Sequence, residues 1–537
     1  MSTPLILIVG LLWFFRTLRS VSAAVARWQQ KEYRLDRMRA HLQLPGTRRL
    51  LLHPVHLGKW AALVWAIAQP GSARVLLPLL VFTYGAESLL LLREGVERST
   101  LRPKWTAKAL LLVSGGIAVT GIVTFGAYRL LDLGVVAAFL LGDRLLLLLV
   151  ALLVGLAHPC SAAIKSRVIA RACAYRETLK DVTVIGITGS YGKSSTKEIL
   201  AGLLGNRDDV LKTPRNTNTE IGVAGVVLSS LKPSHRTFIC EMGAYRRGEI
   251  QRIAEIVRPT IGILTAVAPQ HLALFGSLEK IRETKYELIR ALPPQGTAII
   301  NADDPICADL ALQTTHCTVV LYGRSLRADI RAEAVRPNER GTTFVLKTPQ
   351  ASQEATVSLP GEQAVSNVLA AAAAALSLGV PLATIVSRLC TLRPFPRTME
   401  PIALADGTLV IDDSYSANPD GVLAALNALT LFSKKEKIVI LAPMIELGPA
   451  ASSAHRRVGR ALARSATRVY LPQSDFAKEI AEGVRENGRN PQEFLRVEQT
   501  RRSLLHALRP LRGHDTVVLL EGRVPTRFRE LLLQETS

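Results

Sequence analysis

Residues 182–197, VTVIGITGSYGKSSTK, constrain this chain more than any other stretch. Val182 to Ile187 is apolar and rich in β-branched residues, the composition of a buried strand. It runs into a turn holding Gly186, Gly189 and Gly192, and Lys193-Ser194-Ser195-Thr196 then opens a helical stretch towards Leu204. Strand, glycine turn and helix in this order make a cradle for a nucleotide triphosphate, because backbone N–H groups and the helix N-terminus converge on the phosphate oxygens. Gly189, Ser190, Tyr191, Gly192 and Ser195 are the candidate cradle. Lys193 is placed to reach the β- and γ-phosphates, and the Ser194 hydroxyl to bind Mg²⁺. The loop is a shortened variant, since Ile187 stands where the usual spacing wants a glycine.

The 537 residues suffice for about three domains. The net charge of +22 calls for an anionic partner. Residues 1–158 carry about 18 Lys/Arg against about 7 Asp/Glu, half of that surplus. The six cysteines are scattered without a C-x-x-C pair, which argues against a disulfide framework or zinc site.

Residues 1–158 read as a membrane region. Leu5 to Phe15 is apolar with Arg16 and Arg19 behind it, the order of an uncleaved anchor rather than a cleaved signal. Ala109 to Leu131 and Gly134 to Ala157 are long enough to span a bilayer. Trp60 to Leu92 reads as a hairpin turning at Pro70-Gly71-Ser72. The basic stretch Arg16 to Lys59, including Arg48 and Arg49, belongs in the cytoplasm by the positive-inside rule, as do Arg98 and Arg102, with the Asp132 turn outside. A multi-pass protein of the cell membrane is expected, its soluble part in the cytoplasm and membrane lipid a partner. Asp143 and Arg144 should face other helices, where they pair or meet a ligand.

After Pro159 the pattern becomes α/β. Strands are expected at Thr237–Met242, Ile261–Val267, Thr297–Asn301 and Thr318–Tyr322, in a mostly parallel sheet. Asn367 to Leu378 is alanine-rich and helical, and Arg393 to Arg397, with two prolines, is a linker. Strands at Leu409–Asp412, Lys437–Ala442, Arg468–Leu471 and Thr516–Glu521 make a second, smaller α/β domain. The expected division is 1–158, 159–395 and 396–537.

Polar groups sit at regular points of this frame. Asn216 and Asn218 lie in TPRNTNTEIGV, Glu241 ends the strand of FICEMGA, His271 opens HLALFGS, Lys285 lies in ETKYEL, and Asn301 and Asp304 follow another strand. DDSYSANP carries Asp413, Tyr415 and Asn418. Over about residues 180–525 this resembles the Mur ligases, in particular their MurF-like branch. The resemblance implies a P-loop central domain with a Rossmann-like C-terminal domain. It also implies ATP-dependent activation of a cell-wall precursor carboxylate as an acyl phosphate and its capture by an amino-acid or dipeptide amine, with no nucleic acid involved. Lys193 and Ser194 would hold ATP and Mg²⁺. Glu241 would share that ion, His271 would bind a second, and Lys285 would be carbamylated to give it an oxygen ligand. Asn301 and Asp304 would meet the nucleoside, Arg397 would stand at the domain junction, and Asp413 would orient ATP. Asn216, Asn218, Tyr415 and Asn418 would face substrate. Plainer readings fit some of these: Lys285 lies on an exposed-looking helix, Asp304 precedes Pro305 as a helix cap would, and Tyr415 and Asn418 suit a turn.

Four departures touch the substrate side: Ala442-Pro443-Met444 for GDM, Glu521-Gly522-Arg523 for KGS, Ala273 for a glutamate, and Gln363 for a histidine. With membrane segments in place of a uridine-binding domain, they suggest a lipid-linked carboxylate. The same chemistry could also serve another envelope polymer, and two other classes compete: a transporter ATPase, which lacks a signature loop here, and a nucleotide-binding pseudoenzyme.

Overall fold

The computed structural model describes residues 3–42, 54–97, 102–131, 133–205, 208–214, 217–415, 417–444, 447–498 and 500–534. Arg48, Arg49, Arg98 and the Asp132 turn lie outside them, as do Asn216 and Ile445-Glu446. The chain divides into two compact units, one of residues 1–163 with 500–502 and one of 164–499 with 503–537.

The first unit is helical. Its long helices are Thr3–Gln30, Ala73–Glu97, Ala107–Arg129 and Val135–Leu156, with Pro54–Ala68 before the second. The expected hairpin is present, since Pro54–Ala68 meets Ala73–Glu97 across a 3₁₀ turn at Pro70–Ser72. Val9, Trp13, Leu63, Leu76, Leu80, Tyr84 and Leu140 form one core and Val21, Val25, Leu112, Leu146 and Val150 another. Three helices have the length and apolar composition needed to cross a bilayer.

The second unit holds two sheets. In the first, strands β1 (Thr183–Thr188), β2 (Val210–Lys212), β3 (Thr237–Glu241), β4 (Ile261–Leu264), β5 (Thr297–Asn301), β6 (Thr318–Gly323), β7 (Ile330–Asn338), β8 (Gly341–Lys347) and β9 (Ser352–Val357) lie in the order β2-β3-β1-β4-β5-β6-β7-β8-β9. Pairing is parallel as far as β7, whereas β7–β8 and β8–β9 are antiparallel. The antiparallel edge escapes the sequence because β7 alternates buried and exposed residues, a one-face pattern quite unlike the apolar runs of β1 and β4. Those inner strands are covered on both faces. The expected alanine-rich helix is part of Glu362–Ser377, and six consecutive alanines, Ala370 to Ala375, are buried against one of them. Small side chains let the helix lie close to the sheet.

The second sheet has the order β10-β11-β15-β12-β13-β14, with β10 (Glu400–Ala403), β11 (Leu409–Asp413), β12 (Glu436–Leu441), β13 (Arg468–Leu471), β14 (Leu495–Val497) and β15 (Thr516–Glu521). Only the edge strand β10 runs antiparallel. In both sheets the candidate residues lie at or just past the carboxyl ends of central strands, where open α/β sheets bind their ligands.

One helix underpins the glycine loop. Leu278–Arg290 buries Ile281, Lys285 and Leu288 on one face, and a Cβ on Gly186 of β1 would come within 2.6 Å of Leu288 Cδ1. Leu288→Ala should therefore cost about 2–5 kcal/mol. Urea unfolding would measure it, and a loss below 1 kcal/mol would show that the loop does not lean on this side chain.

Candidate functional site

The site grows from Glu241, the last residue of β3. Its register partner on β1 is Ile187, so the strand pairing sets the carboxylate beside the start of the glycine turn. Glu241 is only 1% exposed. A buried carboxylate must be compensated, and three side chains do so. Ser194 Oγ donates to Oε2 at 2.9 Å, Lys197 Nζ donates to the same oxygen at 3.2 Å, and Asn218 Nδ2 donates to Oε1 at 2.9 Å. Tyr415, carried by the loop after β11, lies close to Ser194, and burial with the nearby Glu241 charge pushes its hydroxyl up to about 12.

The loop itself is closely fitted. Gly192 sits at φ 81° and starts the helix Lys193–Leu204. A Cβ on Gly189 would meet Thr265 Oγ1 at 2.0 Å, and one on Gly192 would meet Asn367 Oδ1 at 2.5 Å. Only glycine leaves the cradle open at these two positions. Ser190 is tied down, its Oγ donating to Ala268 O at 3.0 Å, and the Thr265 hydroxyl donates to Tyr191 O. Tyr191 is pushed up to about 12 by burial and by Asp304. Ser195 lies in the first turn of the helix. Lys193 Nζ donates to Gly189 O at 2.6 Å, and burial lowers its proton affinity against the pull of Glu241. An ammonium held on loop carbonyls, beside a helix N-terminus, suits a polyanion such as a nucleotide phosphate.

A second group lies around Lys285. The plainer reading of Lys285 as a solvated lysine does not hold, because Lys285 falls on the buried face of its helix, four residues after Ile281, and is 3% exposed. Burial first, then the Lys193 charge, lowers its pKa to about 7, against the opposite pull of Glu249 and Glu287. His271 takes a left-handed backbone at φ 55°, and its ring packs 4.7 Å from that of Tyr245, whose N–H donates to Glu249.

The remaining candidates are held by their own backbone surroundings. Asp304 caps the helix Pro305–Gln313 through Ile306 N and Cys307 N and also accepts from Val267 N, as the plainer reading had it. Asn301 Nδ2 donates to Thr265 O at 2.8 Å. Asn418 caps the helix Pro419–Thr430. Arg397 Nη2 donates to Ser414 O at 2.6 Å. Asp413 pairs in register with Glu521 on β15; burial holds it up at about 7, and Glu521 is raised well above the carboxylate range. Asn216 is outside the described residues.

Of the four expected metal ligands, Ser194 and Glu241 are in direct contact, an all-oxygen pair that suits Mg²⁺. Among the described residues no three His, Cys, Asp or Glu side chains gather as a metal site. Sequence reasoning missed Lys197, Thr265 and Asn367. The signal for Lys197 was available, since it follows Lys193 by one helical turn and a buried carboxylate at Glu241 needs a cation.

Lys285 sets a pH dependence. Unfolded, its amine keeps a proton up to its ordinary value of 10.5; folded, it releases it near 7. Between these values the unfolded chain binds more protons, so stability climbs with pH, by at most roughly 1.4 kcal/mol per unit. Lys285→Met should remove that climb between pH 7 and 9.5 in urea unfolding. An unchanged slope would contradict the buried, neutral amine.

The chain matches the Mur ligase middle domain over residues 187–375 and the Mur ligase glutamate ligase domain over residues 398–524. It is 37% identical over 290 residues to the UDP-N-acetylmuramoyl-tripeptide–D-alanyl-D-alanine ligase of Mycobacterium tuberculosis H37Rv, covering 53% of this chain and 56% of that protein. The Escherichia coli K12 ligase of the same name is 34% identical over 52% of this chain and 61% of its own length. The chain thus spans less than two thirds of these curated relatives. Among solved structures, MurF from Acinetobacter baumannii superposes with a TM-score of 0.62 at 28% identity, over 69% of this chain and 80% of that one. MurF from Thermotoga maritima in complex with ADP gives 0.61 at 25% identity, over 68% and 82%. These findings overturn the expected localisation: the relatives and structural neighbours are named as MurF ligases, and a membrane localisation inferred from apolar segments does not stand. With both catalytic-half domains matched in order and MurF ligases as relatives and structural neighbours, the chain belongs to the Mur ligase family.

Proposed function

We propose that this protein is an ATP-dependent amide ligase of MurF type, joining D-alanyl-D-alanine to a UDP-muramoyl tripeptide in peptidoglycan synthesis. The observation that carries the reading is the Glu241 cluster: Ser194, Lys197 and Asn218 meet on one buried carboxylate, and Tyr415 reaches Ser194 from the loop after β11. The proposed division has a central domain at 159–395 and a C-terminal domain at 396–537, so Tyr415 spans the junction between them.

In this reading Gly189 to Ser195 hold the ATP phosphates, with Lys193 as their counter-charge. Bound ATP would supply the phosphoryl group that converts an unreactive carboxylate anion into an acyl phosphate, open to attack by an amine with loss of phosphate. Ser194 and Glu241 are the proposed holders of one Mg²⁺, whose chemistry is charge neutralisation on the phosphates. His271 and Lys285 are assigned to a second. A lysine ammonium cannot ligate a cation, but an amine neutral near pH 7 can add CO₂, and the carbamate so formed is an oxygen donor; the low proton affinity of Lys285 supports that step. Asp413 and Arg397 are assigned to ATP, Asn301 and Asp304 to the nucleoside, and Asn216, Asn218, Tyr415 and Asn418 to substrate. The UDP-linked tripeptide replaces the lipid-linked carboxylate as acceptor because it is the substrate in the names of the relatives.

ADP release is the direct assay, with ATP and Mg²⁺ present and UDP-muramoyl tripeptide and D-alanyl-D-alanine added singly or together. Release should require both, and Lys193→Ala should lower it on the order of 10²-fold or more. Removing dissolved CO₂ should slow the wild type and leave Lys285→Ala, already impaired, unaffected. ADP release independent of either substrate, with no amide product, would end the ligase reading.

A further inference from the structure

The helical unit of residues 1–163 contains a polar cluster that the ligase reading does not use. Four helices contribute to it. Trp13, Arg16 and Thr17 share one face of Thr3–Gln30, and Tyr84, Glu87 and Ser88 share one face of Ala73–Glu97, each set at i, i+3, i+4 spacing. Pro54–Ala68 adds His56 and Lys59, and Val135–Leu156 adds Asp143 and Arg144. Arg16 pairs with both Glu87 and Asp143. Lys59 Nζ lies 2.6 Å from Glu87 and 3.4 Å from Asp143. Arg144 donates to Asp143 at 2.6 Å and contacts His56 Nδ1 at 3.0 Å. The Arg16 and Lys59 cations both lie over the Tyr84 ring.

Charge does not balance here. In this cluster three cations, Arg16, Lys59 and Arg144, face two carboxylates, Glu87 and Asp143, while Glu32 and Asp36 pair with Arg37 and Arg34. Hydrogen bonding does not balance either. Trp13 Nε1, Thr17 Oγ1, Tyr84 OH, Ser88 Oγ and Arg144 Nε are buried without a partner, and Tyr84 is 0% exposed. A purely structural ion network would leave both a surplus charge and a set of donors uncompensated, and buried groups of either kind are costly.

We infer that this cluster is a binding site for a monoanionic oxyanion, a carboxylate or a phosphodiester group. One negative charge cancels the surplus of Arg16, Lys59 and Arg144. Its oxygens accept from the unpartnered hydroxyls, the indole N–H and the guanidinium N–H, which anions favour as charge-assisted donors. This site is independent of the ligase reading and lies within the helical unit alone.

The test uses the full chain in mild detergent with its nucleotide site saturated by Mg·ADP, so that any further anion effect arises elsewhere. Acetate and dimethyl phosphate are titrated at constant ionic strength, with chloride as control, by thermal unfolding and calorimetry. A saturable rise in Tm with one anion per chain is expected; acetate alone identifies a carboxylate site, and dimethyl phosphate alone a phosphodiester site. Arg144→Gln should weaken that binding more than tenfold. Tyr84→Phe, which keeps the ring beneath the cations and removes one hydroxyl, should weaken it about fivefold with the helix content by circular dichroism unchanged. Neither substitution should alter ADP affinity. No effect of either anion beyond chloride, or equal binding in the wild type and Tyr84→Phe, would overturn the site.

Discussion

The buried carboxylate of Glu241 is the constraint on which the rest of the ligase half depends. A charge at 1% exposure survives only if its surroundings neutralise it, and here the neutralising groups come from two separate parts of the chain. Ser194 and Lys197 come from the helix after the glycine turn, Asn218 from the loop after β2. The turn cannot open without stranding this cluster, because Ser194 and Lys197 lie on the helix that Gly192 begins. Glycine loop, carboxylate and Asn218 therefore form one cooperative object.

The same cluster bears on the second sheet. Tyr415 reaches Ser194, while the neighbouring Ser414 accepts from Arg397 through its backbone oxygen and its hydroxyl. Arg397 holds φ 63°, an uncommon value for a residue other than glycine, and its own N–H is satisfied by Glu400. Two adjacent residues, Ser414 and Tyr415, thus tie down the middle of the DDSYSANP segment. A change in how Tyr415 meets Ser194 has to act through a loop already anchored at Ser414.

How much of this was legible in the sequence follows from the kind of signal each part leaves. Buried parallel strands leave continuous apolar runs, so β1, β4, β5 and β15 are found within a residue or a few. The β7–β9 edge leaves only weak alternation and goes unseen. Motif residues such as Glu241 and Ser194 were legible because their spacing to the glycine turn is fixed by chain order. The burial of Lys285 was not, because a lysine on an amphipathic helix looks the same from sequence whether its amine is solvated or trapped. The membrane localisation failed for a related reason: apolar helix length describes a segment, not the compartment in which its family works. Partners such as Thr265 and Asn367 are products of tertiary packing, brought to the glycine turn from elements that are remote in the chain.

The Asp413–Glu521 pair shows what a local departure does to electrostatics. The two carboxyls face each other at the ends of adjacent parallel strands, where like charges this close cannot both persist in a buried site. Burial and then the Asp413 charge raise Glu521 well above the carboxylate range, while burial holds Asp413 near 7 against the pull of Met399 N–H and of Glu521. The pair therefore shares protons across neutral pH, and its apparent titration belongs to both residues together. Asp413 is further tied by Met399 N–H, while Glu521 Oε2 has no hydrogen-bond partner. A basic side chain at position 521 would have locked Asp413 as an anion. A glutamate there leaves the end of β11 with one labile proton, so the charge of this strand end is set by the solution rather than fixed by the fold.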